Sequence, residues 1–327
     1  MHLKLISYKF ILRNLLSLTD HMKFTATAFS ALLLASASLY SCSPNPYAST
    51  NRAHKKQLKA YAKELRTVPA INPKESMLPL GEHWVGTTNF SMRKANYVVI
   101  HHTAQNSTEH TLRTFTLPKT QVSAHYVIGR DGKVYHMLND NLRAWHGGNS
   151  RWGNNTDLNS SSIGIELDNN GAEPFAEAQI SSLLEVLAML KEKHNIPAEN
   201  FIGHSDIAPV RKVDPNETFP WKQLAAHGFG LWYDEGVVEQ YLQPAAPITV
   251  LDSTGTAPVL ILQPLDSVST IPPHFNPKEA LRIIGYDTRD MPAAIRAFKL
   301  HFIQEEVNME LTEKDKIILY NLYQKYL

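Results

Sequence analysis

Short segments of strand composition alternate with helical patterns between residues 95 and 203, and this order limits the folds available to the chain. Residues 97–100 are rich in β-branched side chains, and residues 162–167 and 201–203 have a similar character. Apolar residues recur at helical spacing over residues 176–194, and a shorter helix is predicted over residues 108–117. Strands that alternate with helices favour an α/β fold around one sheet.

A hairpin is predicted inside this alternation. Residues 123–128 and 133–137 flank the turn Gly129-Arg130-Asp131-Gly132, whose composition is typical of a tight connection between antiparallel strands. An antiparallel pair among parallel strands makes the sheet mixed. We therefore predict an α/β fold with a mixed central β-sheet flanked by helices, and we assign this domain to residues 81–241.

A small helical module is predicted after this domain. Residues 242–270 are rich in Pro, Thr and Ser and are interpreted as a linker. Three helices are expected over residues 271–327. The first begins at Asn276-Pro277 and ends near Gly285, the second covers residues 292–302, and the third begins at Thr312 with Asp315 as its capping-box partner.

The first 42 residues have the pattern of an export signal. Met22-Lys23 is a short basic start, residues 26–39 are apolar and small, and Leu39-Tyr40-Ser41-Cys42 resembles a bacterial lipoprotein box, in which the Cys is lipidated. The apolar segment is too short for a good membrane span. We expect Met22 to be the true start. Residues 43–80 are expected to form a tether that contains a short basic helix over residues 54–66.

The single cysteine of the chain is Cys42, so no disulfide is expected in the mature protein. Lipidation at Cys42 predicts an exported lipoprotein held at a membrane. Ser43 replaces the acidic residue associated with inner-membrane retention in some bacteria, which favours the outer membrane, facing the periplasm. The net charge of +1 gives no case for a nucleic-acid partner, and we expect a monomer.

Histidine and aspartate side chains follow two of the predicted strands. His101-His102 closes the first strand, His204 follows residues 201–203, and Asp214 lies ten residues later in a loop restricted by prolines. Two His and one Asp are suitable ligands for a catalytic zinc ion, which keeps a fourth position open for water. Since side chains alternate across a strand, only one of His101 and His102 is expected to bind the metal, and spacing leaves the choice open.

Glu166 and Lys212 are candidates for the chemistry beside such a metal. Alternation along residues 163–167 places Glu166 and Gly164 on the same face, where the glycine is expected to leave room beside the carboxylate. A Glu in that position can act as a general base, and a Lys can place a positive charge beside a developing oxyanion. Taken singly, both residue types are more often solvated surface side chains.

Five motifs in a fixed order strengthen the interpretation of these residues as a catalytic metal site. They are Val98-Val99-Ile100-His101-His102-Thr103-Ala104, Ser123-Ala124-His125-Tyr126, Arg143-Ala144-Trp145-His146-Gly147-Gly148, Ser162-Ile163-Gly164-Ile165-Glu166-Leu167 and residues 203–215. Together they resemble the zinc-dependent N-acetylmuramoyl-L-alanine amidases of the amidase-2 family, which share a fold with peptidoglycan recognition proteins. The similarity is greatest to the outer-membrane lipoprotein amidase of that group. It covers residues 91–231 and continues weakly through the C-terminal helices, which resemble a peptidoglycan-binding-like module.

The resemblance implies a role for each matching residue. His101 rather than His102 is implied as a ligand of one Zn²⁺ ion, together with His204 and Asp214. Glu166 is implied as the catalytic residue and Lys212 as the residue that stabilises the transition state. Near the cleft, the matching positions are His125, Trp145 and His146, which we expect to contact substrate.

The implied reaction is hydrolysis of the amide between N-acetylmuramic acid and L-alanine, with peptidoglycan or muropeptides as the substrate. Two other functions stay open. One is a non-catalytic peptidoglycan-binding lipoprotein with the same cleft, against which the complete set of ligands, Glu166 and Lys212 argues. The other is a metalloprotease; the absence of a His-Glu-x-x-His motif counts against it but excludes only one such family.

Overall fold

The computed structural model describes residues 45–67, 77, 80–242, 248–251, 258–261 and 271–327. The predicted signal sequence, its start at Met22 and the lipidated Cys42 lie outside these residues. The chain divides into two compact units, Met1–Gly86 and Thr87–Leu327. Within the described ranges, no helix has both the length and the apolar character that crossing a membrane requires.

Helix α1, Ala48–Leu65, is the described element of the first unit, and none of its 18 residues is buried. The prediction placed a tether over residues 43–80 with a helix that begins at residue 54, so the helix is one and a half turns longer than expected. Its basic side chains recur at the spacing of one helix face. These are Arg52, Lys55, Lys56, Lys59 and Lys63.

The second unit is built around a mixed five-stranded sheet, as predicted. Its strands are β1 Tyr97–His102, β2 Tyr126–Ile128, β3 Val134–His136, β4 Ser162–Leu167 and β5 Phe201–Gly203. They lie in the order β3-β2-β4-β1-β5. The pairs β1–β4, β1–β5 and β2–β4 are parallel, whereas β2–β3 is the expected antiparallel hairpin.

The helices that lie between and after these strands agree with the prediction from the sequence where they are longest. The elements are α2 Thr108–Thr116, α3 Leu158–Ser161, α4 Glu177–His194, α5 His204–Ile207, α6 Trp221–Ala226 and α7 Glu235–Leu242. The predictions for α2 and α4 are correct within one residue. The one-turn helices α3 and α5 were missed, because four residues are too few to show a helical repeat.

One face of the sheet is covered by α4. This helix packs in one hydrophobic cluster with alternate residues of the strands, such as Val98 and Ile165. Its residues in the cluster include Ile180, Leu183, Leu187 and Leu190. Alternation places Val99 and His101 of β1 on the opposite face. That opposite face is therefore the one that combines apolar packing with the polar residues of the site.

The C-terminal helices cover the opposite face. They are α8 Pro277–Ile284, α9 Met291–Phe302 and α10 Glu313–Tyr326, and the predicted caps at Asn276 and Thr312 are present. Leu281 and Phe298 share a hydrophobic cluster with Val99 and Ile202 of the sheet. Residues 271–327, predicted as a separate module, therefore share a core with the five-stranded sheet.

The predicted linker, residues 242–270, also contains regular structure. Strands β6 Ile248–Leu251 and β7 Pro258–Ile261 pair in antiparallel register. Both segments are rich in Val, Ile and Leu, whose β-propensity the prediction neglected in favour of the Pro, Thr and Ser content of the region.

Candidate metal centre and active site

Three side chains converge at the carboxyl end of the parallel strands. His101 is the penultimate residue of β1, His204 follows β5 directly, and Asp214 lies in the loop after α5. The Nδ1 atoms of His101 and His204 are 2.8 Å apart. Asp214 Oδ2 lies 3.2 Å from His101 Nδ1 and 3.0 Å from His204 Nδ1. All three side chains are buried, and together they form a group able to hold a metal ion.

The hydrogen bonds around His101 assign its ring proton. The Ser162 hydroxyl donates to the carbonyl oxygen of Leu158, so Ser162 Oγ accepts from His146 Nε2 at 3.2 Å. His146 Nδ1 then accepts from His101 Nε2 at 3.0 Å. This relay leaves His101 Nδ1 without a proton, and its lone pair points toward His204 and Asp214.

His204 has the same tautomer for a separate reason. Its Nε2 lies 3.4 Å from the carbonyl oxygen of Gly147, which can only accept a hydrogen bond. The Arg211 amino nitrogen 3.5 Å from Nε2 already donates its two hydrogens to the carbonyl oxygens of Gly147 and Asn149. The Nδ1 lone pair of His204 therefore faces that of His101, with the Asp214 carboxylate beside both. Three electron-pair donors at such distances repel one another unless a cation lies between them.

The spacing of these three donors suits a tetrahedral metal site. Metal–nitrogen bonds of about 2.0–2.1 Å in tetrahedral geometry place neighbouring ligand atoms about 3.3 Å apart, close to the observed 2.8–3.2 Å. Burial, and next the neighbouring His204, lower the pKa of His101 to about 4. The imidazole is therefore neutral, which is the form that binds metals.

His102 lies apart from these donors. It lines the adjacent cavity rather than the group of three, and Gly171 packs against its ring. Strand alternation separates the two neighbouring histidines, as expected from the sequence. Of the two neighbouring histidines, His101 is therefore the one in the group that could hold a metal ion.

A cavity of about 410 Å³ opens beside the three donors. Its wall includes His102, Thr103, Trp145, His146, Glu166 and Lys212. Glu166 lies in register with His101 across the β1–β4 pair, so the carboxylate is at the level of the metal centre. The cavity thus places the carboxylate of Glu166 and the ammonium group of Lys212 on one side of the candidate metal centre.

Glu166 is in an unusual electrostatic environment. Its Oε2 atom is buried and accepts no hydrogen bond from the described residues. Burial, and next the charge of Asp214, raise the pKa of Glu166 to about 8, while Lys212 opposes the shift. A cation held by the three donors lowers this pKa, because opposite charge favours the carboxylate. The carboxyl group is thus able to accept and release a proton near neutral pH.

Gly164 has a different role from the one expected. The sequence suggested that it leaves room beside Glu166. In the structure, a Cβ atom at Gly164 would lie 2.4 Å from Cγ of His146. The missing side chain therefore makes room for the His146 ring, which links Ser162 to His101.

The three residues predicted to contact substrate have different surroundings. Trp145 is half exposed and lines the cavity, which suits a contact with substrate. His146 reaches the cavity wall but is nearly buried, and both of its ring nitrogens bond within the protein. Its main role in this geometry is to orient His101.

His125 differs most from its expected role. The side chain is fully buried and lies outside the cavity lining. Its Nδ1 accepts from the backbone N–H of Gly164 at 3.0 Å, and Nε2 lies 2.9 Å from the carbonyl oxygen of Leu142. Burial, as the main cause, lowers the pKa of His125 to about 4. A neutral ring that joins β4 to the neighbouring loop is a structural residue rather than a substrate contact.

Sequence reasoning missed several residues that hold the site. Asn159 Oδ1 accepts from the backbone N–H groups of His146 and Gly147, at 3.0 and 2.8 Å. The Arg211 side chain bonds to the carbonyl oxygen of Asn149 at 2.9 Å and to that of Gly147. Arg211 is one residue before Lys212, but neither contact has a signal in the sequence, because each depends on how a loop packs.

Comparisons with known proteins identify the family of the chain. Residues 91–217 match the family described as N-acetylmuramoyl-L-alanine amidase. The N-acetylmuramoyl-L-alanine amidase AmiD of Escherichia coli is 34% identical over 245 residues, which cover 70% of this chain and 82% of AmiD. The 1,6-anhydro-N-acetylmuramyl-L-alanine amidase AmpD of Haemophilus influenzae is 39% identical over 104 residues, which cover 32% of this chain and 56% of AmpD.

Solved structures show the same relationship. A complex of E. coli AmiD superimposes with a TM-score of 0.58 at 30% identity, and the match covers 74% of this chain and 93% of the chain in that structure. AmpDh3 from Pseudomonas aeruginosa has a TM-score of 0.59 at 27% identity, over 76% of this chain and 99% of AmpDh3. The chain belongs to the N-acetylmuramoyl-L-alanine amidase family, amidase-2, as the ordered motifs predicted.

Replacing Ser162 by Ala tests the relay behind His101. The substitution leaves the buried His146 N–H without an acceptor and removes the reason for its tautomer. We expect metal affinity to weaken about 10-fold or more, the size of effect typical of residues that orient a ligand. The measurement is competition with a chromophoric chelator.

The neighbouring Ser161→Ala variant is the matched control, since Ser161 bonds to Asp157 and Asn155 and not to His146. It should bind the metal as the wild type does. Unchanged affinity in Ser162→Ala, with the fold intact by circular dichroism, would contradict the relay.

Proposed function

We propose that this chain is a zinc-dependent N-acetylmuramoyl-L-alanine amidase that hydrolyses the amide between N-acetylmuramic acid and L-alanine in peptidoglycan or muropeptides. The observation that carries this proposal is the convergence of three unprotonated donors, His101, His204 and Asp214, beside the carboxylate of Glu166. Neutral imidazoles with one carboxylate and an open position are typical of catalytic zinc. Family membership supplies the reaction class.

The structures of relatives support the choice of substrate. The AmiD complex contains anhydro-N-acetylmuramic acid-L-Ala-D-γ-Glu-L-Lys as substrate. A second structure of AmpDh3 holds an anhydromuramic pentapeptide. We infer a muropeptide as the substrate class of this chain, consistent with a role in cell-wall turnover and recycling.

In the proposed mechanism, zinc supplies Lewis acidity toward the scissile carbonyl and toward water. Glu166 takes a proton from the attacking water as it adds to the lactyl carbonyl carbon. The Lys212 ammonium stabilises the negative charge that develops on the carbonyl oxygen. The carbon–nitrogen bond then breaks, and Glu166 returns the proton to the amine of L-alanine. Trp145, exposed at the cavity wall, contacts the substrate.

We also propose that Cys42 is lipidated and holds the protein at the outer membrane, facing the periplasm. The proposal rests on the lipoprotein box, after which residues 43–80 would connect the anchor to the catalytic unit. The cationic face of α1 is compatible with a nearby anionic membrane surface. We keep the monomer as the working oligomeric state.

The test of the reaction is mass spectrometry of muropeptides after incubation with the protein. We expect free stem peptides that begin with L-alanine, lost with a chelator and restored by zinc. Intact muropeptides despite bound zinc would instead favour a peptidoglycan-binding lipoprotein. Cleavage of sugar-free peptides would favour a metalloprotease.

Glu166→Gln separates catalysis from metal binding. The amide has nearly the same shape but cannot accept the proton, so turnover should fall by about 10²–10⁴-fold. Zinc content should stay at the wild-type level. Glu185→Gln, on the exposed side of α4, is the control and should leave both quantities unchanged. Normal turnover in Glu166→Gln would refute the assigned role.

His204→Ala tests the metal ligand itself. Removing one of three protein ligands should abolish stable zinc binding, and activity with it. Metal analysis after dialysis measures the occupancy. Full occupancy in this variant would reject the ligand assignment.

Cys42→Ala tests the anchor. Without the thiol no lipid can be attached, so the protein should move from the membrane fraction to the soluble fraction after cell fractionation. Persistence of the variant in the membrane fraction would indicate another means of attachment.

A further inference from the structure

The loop between β5 and α6 carries two of the three metal donors. Helix α5, which contains His204, has only four residues, too short to be stable by itself. The backbone N–H of Ser205 donates to the carbonyl oxygen of Asp214 at 2.8 Å, which ties together the segments that carry both ligands. The position of the whole loop must therefore depend on contacts from outside it.

Asp206, two residues after His204, receives those contacts. Its carboxylate is fully buried and accepts three hydrogen bonds. Oδ2 accepts from the backbone N–H of Gly203 at 2.7 Å and from His301 Nδ1 at 2.8 Å. Oδ1 accepts from the Tyr286 hydroxyl at 2.8 Å. Two of the three donors come from the C-terminal segment, from α9 and the turn after α8.

The donors themselves are held firmly. The His301 ring stacks on Trp221, with 3.8 Å between the ring centroids, and on Phe302, with 4.1 Å. Tyr286 is buried and meets Trp152 edge-on at 5.0 Å. Burial, and next the charge of Asp206, raise the pKa of Tyr286 well above its ordinary value. Its hydroxyl therefore stays protonated and donates.

The same C-terminal segment contacts the loop at two further points. Arg296 of α9 donates to the carbonyl oxygen of Pro209 at 2.6 Å, just after α5. Gln304 donates to the carbonyl oxygens of Glu217 and Phe219, at 2.8 and 2.6 Å, just after Asp214. Contacts from residues 286–304 thus lie both between the two ligands and after the second.

We propose that the C-terminal helices are a positioning element of the metal centre, which hold His204 and Asp214 in the ligating arrangement through the Tyr286–Asp206–His301 contacts. A buried carboxylate that loses a donor is costly, so the loop is expected to shift Asp206 toward solvent and carry His204 with it. This inference rests on the proposed metal-binding function. It adds a role for residues 271–327, which the sequence predicted as a helical, peptidoglycan-binding-like module.

The experiment compares the full-length protein and its variants at two positions. Tyr286→Phe removes one oxygen atom. At residue 301, His301→Phe keeps an aromatic ring between Trp221 and Phe302 but loses the donor, whereas His301→Asn keeps a donor near the position of Nδ1 but loses the ring. Tyr323→Phe in α10 is the control, since its hydroxyl makes no hydrogen bond to Asp206.

Zinc affinity is measured by chelator competition, and amide hydrogen exchange of residues 203–216 is followed with and without zinc. We expect Tyr286→Phe and His301→Phe each to weaken zinc binding about 10-fold and to speed exchange in the loop. His301→Asn should recover part of the affinity. Tyr323→Phe should match the wild type in both measurements.

The proposal is overturned if the two donor-deleting variants lose thermal stability but keep the zinc affinity and loop exchange of the wild type. The helices would then only cover the sheet. If His301→Phe fails to fold, the single-atom change in Tyr286→Phe decides the outcome. Muropeptide cleavage by the wild type is assayed separately, so a protein that binds zinc without turnover would refute the amidase and still test this positioning role.

Discussion

The main constraint on this site is the mutual repulsion of three electron-pair donors, which the rest of the fold must overcome. His101 and His204 each direct an Nδ1 lone pair at the other, and the Asp214 carboxylate completes the group. Such an arrangement persists only if other parts of the fold hold it in place and if a cation lies between the donors. The Ser162–His146 relay and the contacts to Asp206 supply the first condition, and the proposed zinc ion supplies the second.

The two sides of the metal centre are held by different means. His101 extends from β1, an interior strand of the five-stranded sheet that pairs with β4 and β5. Hydrogen bonds to both neighbours restrict the backbone of this strand. His204 and Asp214 lie on a loop with one helical turn, and their positions depend on packing from α9 and its neighbours. The sheet therefore holds His101 in a fixed position, whereas the positions of His204 and Asp214 can vary with the packing of their loop. Glu166, one strand away from His101, belongs to the fixed side.

Much of this could be predicted from sequence, because the relevant signals were local. Strands β1, β4 and β5 have clear β-branched or apolar composition, and strand ends are where parallel sheets place their ligands. The relay through Ser162 could not be predicted, since it depends on how the loop that carries His146 packs between Ser162 and His101. The role of Gly164 was misassigned because its neighbour, His146, comes from a different segment. The contacts of Asp206 with Tyr286 and His301 join residues 80 and 95 positions apart, which no local pattern encodes.

The distance in sequence between Asp206 and its donors has a consequence for how the protein matures. Synthesis proceeds from the amino end, so the sheet and the loop that carries His204 and Asp214 emerge well before Tyr286 and His301. The carboxylate of Asp206 has its full set of partners only when the last helices have been delivered and have packed. Under the proposed positioning role, an incomplete or truncated chain would contain every proposed catalytic side chain and still lack a finished metal site. Acquisition of the proposed zinc ion would then be a late event that reports completion of the whole chain.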